Sequence, residues 1–312
     1  MPVRLPIVGD ALDPLAPLRR AVAGNMQAAF TVDRFPQEQY TDPPGDAGFF
    51  GPDSVTWRVH GHPSAIIGGF SSLMLQALHP LTMAGVAEHS NYREDPLGRL
   101  GRTASFVGGT TYGSTEVAEA MIATVKAVHR HVRGVAPDGR AYAASDPELV
   151  TWVHVAEMGS ILWAHRRYHP HPVRGADLDR YYAETAIVAE KLGATDIPRS
   201  RAEVRQYYRD IRGELVADTQ AIDALAFMMQ PMGRDPVARG ISNVVIQASL
   251  DLLPSWARSL YGIRRPPGLD ATVVRPAAFA FINALDALAG PSHALEQAKA
   301  RAAAPPRLAV AS

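Results

Sequence analysis

Eleven histidines and no cysteine set the chemical repertoire of this 312-residue chain. Without thiols there is no disulfide, no Cys-ligated zinc, no iron–sulfur cluster, no thiolate-ligated haem and no Cys nucleophile. The imidazoles are the informative set. Val117, Met121, Val125, Val128 and Val132 recur at helical spacing and define a buried stripe. At ~100° per residue, His129 falls about 60° from the centre of that stripe, whereas His131 falls about 100° away on the other side. His129 therefore points inward, with Arg133 one turn later on the same flank. On projection alone it reads as a core histidine bonded to a backbone carbonyl. His154 and Glu157 form a His-x-x-Glu pair. Such a pair binds metal in helical bundles when it occurs twice. No second copy exists here, so a buried hydrogen bond from His154 is expected instead. Arg99 and Thr103 lie one turn apart on a shared face, either as a solvated helix edge or as a buried cation and hydroxyl facing an anionic or oxygen-bearing ligand. His60 and His62 flank Gly61 but lack a third partner at metal-ligand spacing.

Other function classes find no support. The chain has no Walker A loop, no Gly-x-Ser-x-Gly elbow and no His-Glu-x-x-His. Lys+Arg and Asp+Glu both number 31, which argues against a nucleic-acid binder that works by phosphate neutralisation. The first residues lack the long apolar core of a signal peptide, and the expected location is the cytoplasm.

The elements that must position these residues are helical. Ala-rich stretches with helical periodicity alternate with Pro/Gly clusters, and 47% of residues are apolar. The pattern predicts helices over Leu15–Phe30, Leu97–Val107 (ended by Gly108-Gly109), Thr115–Arg133, and from Ser145-Asp146-Pro147 to Tyr168. Further helices follow over Leu178–Leu192, Arg201–Leu215, Asp218–Met229, Pro236–Leu252 and Ala277–Leu288. Pro63–Ala87 carries no formal charge and has the length of a membrane span. Its Gly and Ser pairs, Gln76 and His79-Pro80 favour two buried helices, Ser64–Leu78 and Leu81–Glu88, over a span. The expectation is one all-α fold: an N-terminal helix and loop over 1–55, a main helical domain over 56–299, and a loose tail over 300–312.

Several segments together resemble the rubber oxygenase (latex-clearing protein) and MpaB-type oxygenase family. They are Leu73–Pro80, Gly85–Ser90, Asp95–Thr103, Val128–Gly134, Asp146–Leu149, Trp152–His154 and Leu252–Trp256, in an order that extends from Thr56 to Gly262. The resemblance implies an all-α fold with a core reminiscent of globins, a bound haem b, and oxygenase chemistry. Characterised rubber oxygenases cleave the double bonds of polyisoprene with dioxygen, and the MpaB-type enzyme cleaves a prenyl side chain. The family's Arg-x-x-x-Thr pair falls on Arg99 and Thr103. Its proximal haem histidine, with Arg four residues later, falls on His129 and Arg133. The gap between these pairs differs by a few residues from that of rubber oxygenases. The family's distal lysine and catalytic glutamate have no assigned position, Glu88 being the nearest carboxylate. On this reading Arg99, Arg102 and Arg133 pair with the haem propionates, Thr103 donates to a propionate or shapes the pocket, and the neighbourhood of His154 supports the proximal imidazole. The partners implied are a hydrophobic small molecule and dioxygen. The alternative is a non-catalytic helical protein that binds a hydrophobic ligand or haem.

Overall fold

A computed structural model describes residues 38–306, apart from Arg234 and Pro291. The expected helix Leu15–Phe30 lies outside the described residues. The fold is all-α, with a single two-stranded hairpin among the described residues. In chain order the helices are α1 (Glu38–Thr41), α2 (Val55–His60), α3 (Ser64–Gln76), α4 (Pro80–His89), α5 (Pro96–Tyr112), α6 (Thr115–His129), α7 (Pro147–Tyr168), α8 (Asp177–Leu192), α9 (Arg201–Asp210), α10 (Thr219–Met228), α11 (Pro236–Leu252), α12 (Ser255–Leu260), α13 (Arg275–Ala289) and α14 (His293–Ala303). A 3-10 turn, Ile211–Glu214, prolongs α9, and a π-helical turn, Asp270–Val274, leads into α13.

Local sequence explains most helix starts. Asp95, Asp146 and Asp235 each accept a bond from the first-turn backbone of α5, α7 and α11, and each is followed by proline at the first helical position. That residue pair supplies an acceptor where N–H groups are orphaned and a ring where no N–H is needed. Ser54 and Ser114 cap α2 and α6 in the same way.

The centre of the molecule is α3 lying antiparallel against α7. A Cβ on Gly68 would sit 2.6 Å from Ile161 Cα, so the two backbones touch there. At the other end Trp152 Nε1 donates to the Gln76 carbonyl at 3.2 Å. The apolar Pro63–Ala87 stretch thus forms the expected buried pair of helices, α3 and α4, separated before Pro80. Around them Leu75, Trp152, Leu162, Tyr181 and Ile246 form a continuous core. On the far side Asp251, fully buried, receives Arg167 Nη1 at 2.8 Å and Arg275 Nε at 2.9 Å, joining α7, α11 and α13.

Three boundaries differ from expectation. α5 continues through Gly108-Gly109 to Tyr112, because Gly109 is packed beneath Met121 and serves the close approach of α5 and α6 rather than a stop. α6 ends at His129. Residues 133–135 instead form β1 and pair with β2, 141–143, around the Pro137-Asp138-Gly139 turn, so Arg133 is on a strand and not on the helix flank. Ala300–Ala303 are helical, and Arg301 is buried, donating to the carbonyls of Tyr40, Asp46 and Gly113. The loose tail therefore does not begin at Ala300.

Candidate active site

Helices α3, α4, α5 and α10 enclose a cavity of about 190 Å³. Its walls are apolar: Phe70 and Leu73 from α3, Met83 and Val86 from α4, Leu100 from α5, and Phe227 and Met228 from α10. The loop Gln230–Met232 closes one side. The polar groups are few, which is the usual composition of a small-molecule site. Arg99, Gln76 and Thr82 supply them, and Thr82 Oγ1 has no hydrogen-bond partner among the described residues. A more polar hollow of about 250 Å³ adjoins it, sharing Met83 and Tyr92 and lined by Ser90, Arg93, Glu94 and Asp223.

Arg99 is positioned by the first turn of α5. Its Nε donates to Ser90 Oγ at 2.9 Å. Burial weakens its hold on its proton, the neighbouring Arg102 acts in the same direction, and Glu157 opposes both. Thr103, half-buried, donates to the Arg99 carbonyl at 3.2 Å. Arg102 faces solvent, where it donates to Asp95 and Asn91 and braces the start of α5.

Glu157, half-buried on α7, is the carboxylate within electrostatic reach of Arg99. Gln76 Nε2 reaches the Val153 carbonyl at 3.5 Å, and Glu157 is one turn further along that face of α7. Burial pushes it up to about 7, and Arg99 pulls it back. His154, buried one residue beyond Val153, is held down at about 4 by burial. His60 opposes it on α2 and is also held at about 4, first by burial and then by the proximity of His154. His60 Nδ1 lies 2.9 Å from Thr111 Oγ1, and its Nε2 lies 2.8 Å from Tyr181 OH. A buried polar chain thus runs from α5 through α2 to α8.

His129 ends α6. The buried residues of this helix are Ala118, Met121 and Ile122; Val125 and His129 follow on the same side, half-buried, whereas Val128 is exposed. The histidine is half-buried. Burial lowers its proton affinity, while a hydrogen bond with the Ala144 backbone raises it. The α5–α6 hairpin turns at Gly113, and the two helices touch where Gly109 meets Met121. His129 does not itself line the 190 Å³ cavity. Arg133 is exposed on β1. Glu88 is exposed at the end of α4, accepts from Tyr142 OH, and lies outside the cavity lining.

The structure also assembles what spacing could not reveal. His62, His165 and His169 pack ring on ring, with centroids 4.4 Å apart for His62–His169 and 4.3 Å for His165–His169. They come from the start of α3 and the end of α7, and only the antiparallel packing of those helices unites them. Burial, aided by the neighbouring rings, holds His62 at about 4 and His165 at about 3. Among the described residues, no group of three or more His, Asp or Glu side chains is arranged to hold a metal ion.

The family described as ER-bound oxygenase mpaB/B'/rubber oxygenase, catalytic domain, has a model that matches residues 57–284. No curated protein matches the chain. No solved structure matches it either.

Proposed function

The chain belongs to the mpaB/rubber oxygenase catalytic-domain family, and from that premise we propose that it is a haem b-dependent oxygenase acting with dioxygen on a hydrophobic, isoprenoid or lipid-like small molecule. The observation that carries this reading is His129, a half-buried, uncharged imidazole at the end of α6, the helix that the elbow at Gly113 joins to the one bearing Arg99. The donor set fits a haem. Iron in a porphyrin needs one protein imidazole, whereas a bare metal needs three or four converging side chains, which the described residues do not offer.

On this reading His129 would hold the iron, and Arg99, half-buried, would offset a propionate, since a buried carboxylate without a partner is costly. Arg102 and Arg133, at the surface, are left to steer rather than to bury charge. The haem, when bound, supplies the activation of dioxygen. The chain's own residues do the rest. Phe70, Leu73, Met83, Leu100 and Met228 exclude water and hold an apolar substrate. Neither Glu88 nor Glu157 lines the cavity; of the two, Glu157, pushed up to about 7 by burial, is the one that could hold and release a proton near pH 7.

The test is an optical spectrum with iron quantitation. Wild-type protein should show a Soret band that is lost or sharply shifted in His129→Ala. A colourless protein that takes up no added haemin overturns the reading. One observation favours the alternative of a non-catalytic ligand carrier: His129 does not line the cavity. A carrier would bind an apolar fluorophore equally well with and without iron, and His129→Ala would leave that binding unchanged.

A further inference from the structure

We propose that the apolar cavity and the polar hollow beside it form one two-chambered site, which takes an amphipathic molecule whose head is uncharged and donates a hydrogen bond, as a hydroxyl does. This rests on the cavity being the substrate site and adds the chemistry of the substrate's polar end. The chambers follow one another along a groove between α4 and α10. Val86, on α4, lines the cavity, whereas Ala87 and Ser90, further along, line the hollow. On α10, Ala224 and Phe227 line the cavity, and Gln220 and Asp223, each one turn earlier, line the hollow. Met83 and Tyr92 belong to both walls. The Tyr92 ring meets Phe227 edge-on, with centroids 5.5 Å apart. The Arg93 guanidinium lies over both, 5.2 Å from the Tyr92 centroid and 5.8 Å from that of Phe227. A methionine and an aromatic edge thus divide the chambers, and such side chains yield more easily than backbone.

The hollow sets the chemistry of the head. Its unsatisfied groups are acceptors. Gln220 Oε1 is buried and has no hydrogen-bond partner among the described residues. The carboxylates of Glu94 and Asp223 make no ion pair among the described residues. One guanidinium, Arg93, stands in the lining against these two carboxylates. A buried acceptor without a donor is costly, and a hydroxyl supplies the donor. A carboxylate or phosphate head would supply none and would add to the surplus of negative charge. The cavity accounts for the other end of the molecule. Phe70, Leu73 and Leu100, with the adaptable side chains of Met83, Met228 and Met232, suit an apolar chain.

The test is displacement of an apolar probe dye from the full-length protein by three ligands that share one alkyl chain: decanol, its methyl ether and decanoate. Decanol should bind about tenfold more tightly than the ether, which accepts but cannot donate. It should exceed decanoate by at least as much. Gln220→Met keeps the length of the side chain and removes an orphaned acceptor, so it should fold at least as well as wild type. In that variant decanol should fall to the affinity of the ether, and the ether should be unaffected. Gln220 lines the hollow and not the cavity, so this loss shows one ligand reaching both chambers. Three results overturn the proposal. The ether may not match decanol. Decanoate may not match it either, since Arg99 rather than the hollow would then hold the head. The preference for decanol must not survive in Gln220→Met. A protein that binds neither dye nor decanol overturns the substrate-site reading together with this one. A Soret band without a preference for decanol rejects the head-group assignment and leaves the haem reading intact. The preference without a Soret band does the reverse.

Discussion

Acid should unfold this protein through its buried imidazoles, and His154 allows the effect to be sized. Its ordinary value is 6.5, and burial holds it at about 4 in the folded chain. Between those values the unfolded chain binds a proton that the folded chain refuses. Stability therefore rises with pH in this window and is lost as pH falls from about 6.5 toward 4. At pH 5 the unfolded imidazole is nearly all protonated and the folded one mostly neutral, a difference of about 1.5 pH units. At 1.36 kcal/mol per unit this is about 2 kcal/mol. His60 sits at the same depressed value, which already includes the proximity of His154, so charging both costs about twice that amount. The experiment is urea denaturation followed by the fluorescence of the four tryptophans at pH 7, 6 and 5. Wild type should lose stability steeply over this range. His154→Gln, whatever its stability at pH 7, should lose about 2 kcal/mol less between pH 7 and pH 5. An unchanged slope would show that His154 takes its proton without unfolding, and that the interior around it is wetter than its packing implies.

The other predictions concern packing and charge. Gly68→Ala puts a methyl group 2.6 Å from the Ile161 backbone and should cost about 3 kcal/mol in thermal or chemical denaturation. The adjacent Gly69→Ala meets only open space and should gain about 0.5–1 kcal/mol from helix propensity. Asp251→Ala frees two guanidinium groups that can partly rehydrate, so its cost should fall near the low end for buried pairs, about 3 kcal/mol, with proteolysis beginning near α13. Leu100→Trp should fill the 190 Å³ cavity and reduce binding of an apolar probe dye at least tenfold while far-UV circular dichroism is unchanged.

Much of the helical layout was legible because its signals are local. The Asp-Pro starts of α5 and α7, the serine cap of α6 and the charge-free α3–α4 stretch each announce themselves within a few residues. The errors came where a residue serves a distant neighbour. Gly109 reads as a stop but is a contact with Met121, and Arg133 reads as the last residue of a helix but belongs to a hairpin. Projection turned His129 inward, yet counted Val128 as buried, because a stripe of valines cannot distinguish the side that α5 and α8 cover. Glu157 was visible only as half of a metal-like pair. Its elevated proton affinity arises from burial and from Arg99, on another helix. His165 and His169 are one turn apart at the end of α7, but the third ring, His62, meets them only when α3 and α7 pack antiparallel, which spacing cannot show.

Arg301 sets the order of events in folding. Its guanidinium binds carbonyls 261, 255 and 188 residues earlier in sequence, at Tyr40, Asp46 and Gly113. Closing loops of that length is slow and comes only after the local helices have formed. While the chain is being synthesised, the α5–α6 elbow at Gly113 must wait for residue 301 to leave the ribosome. The hairpin bearing Arg99 and His129 is therefore fastened by a residue made long after it, and nascent chains stalled before that point should present it unlatched.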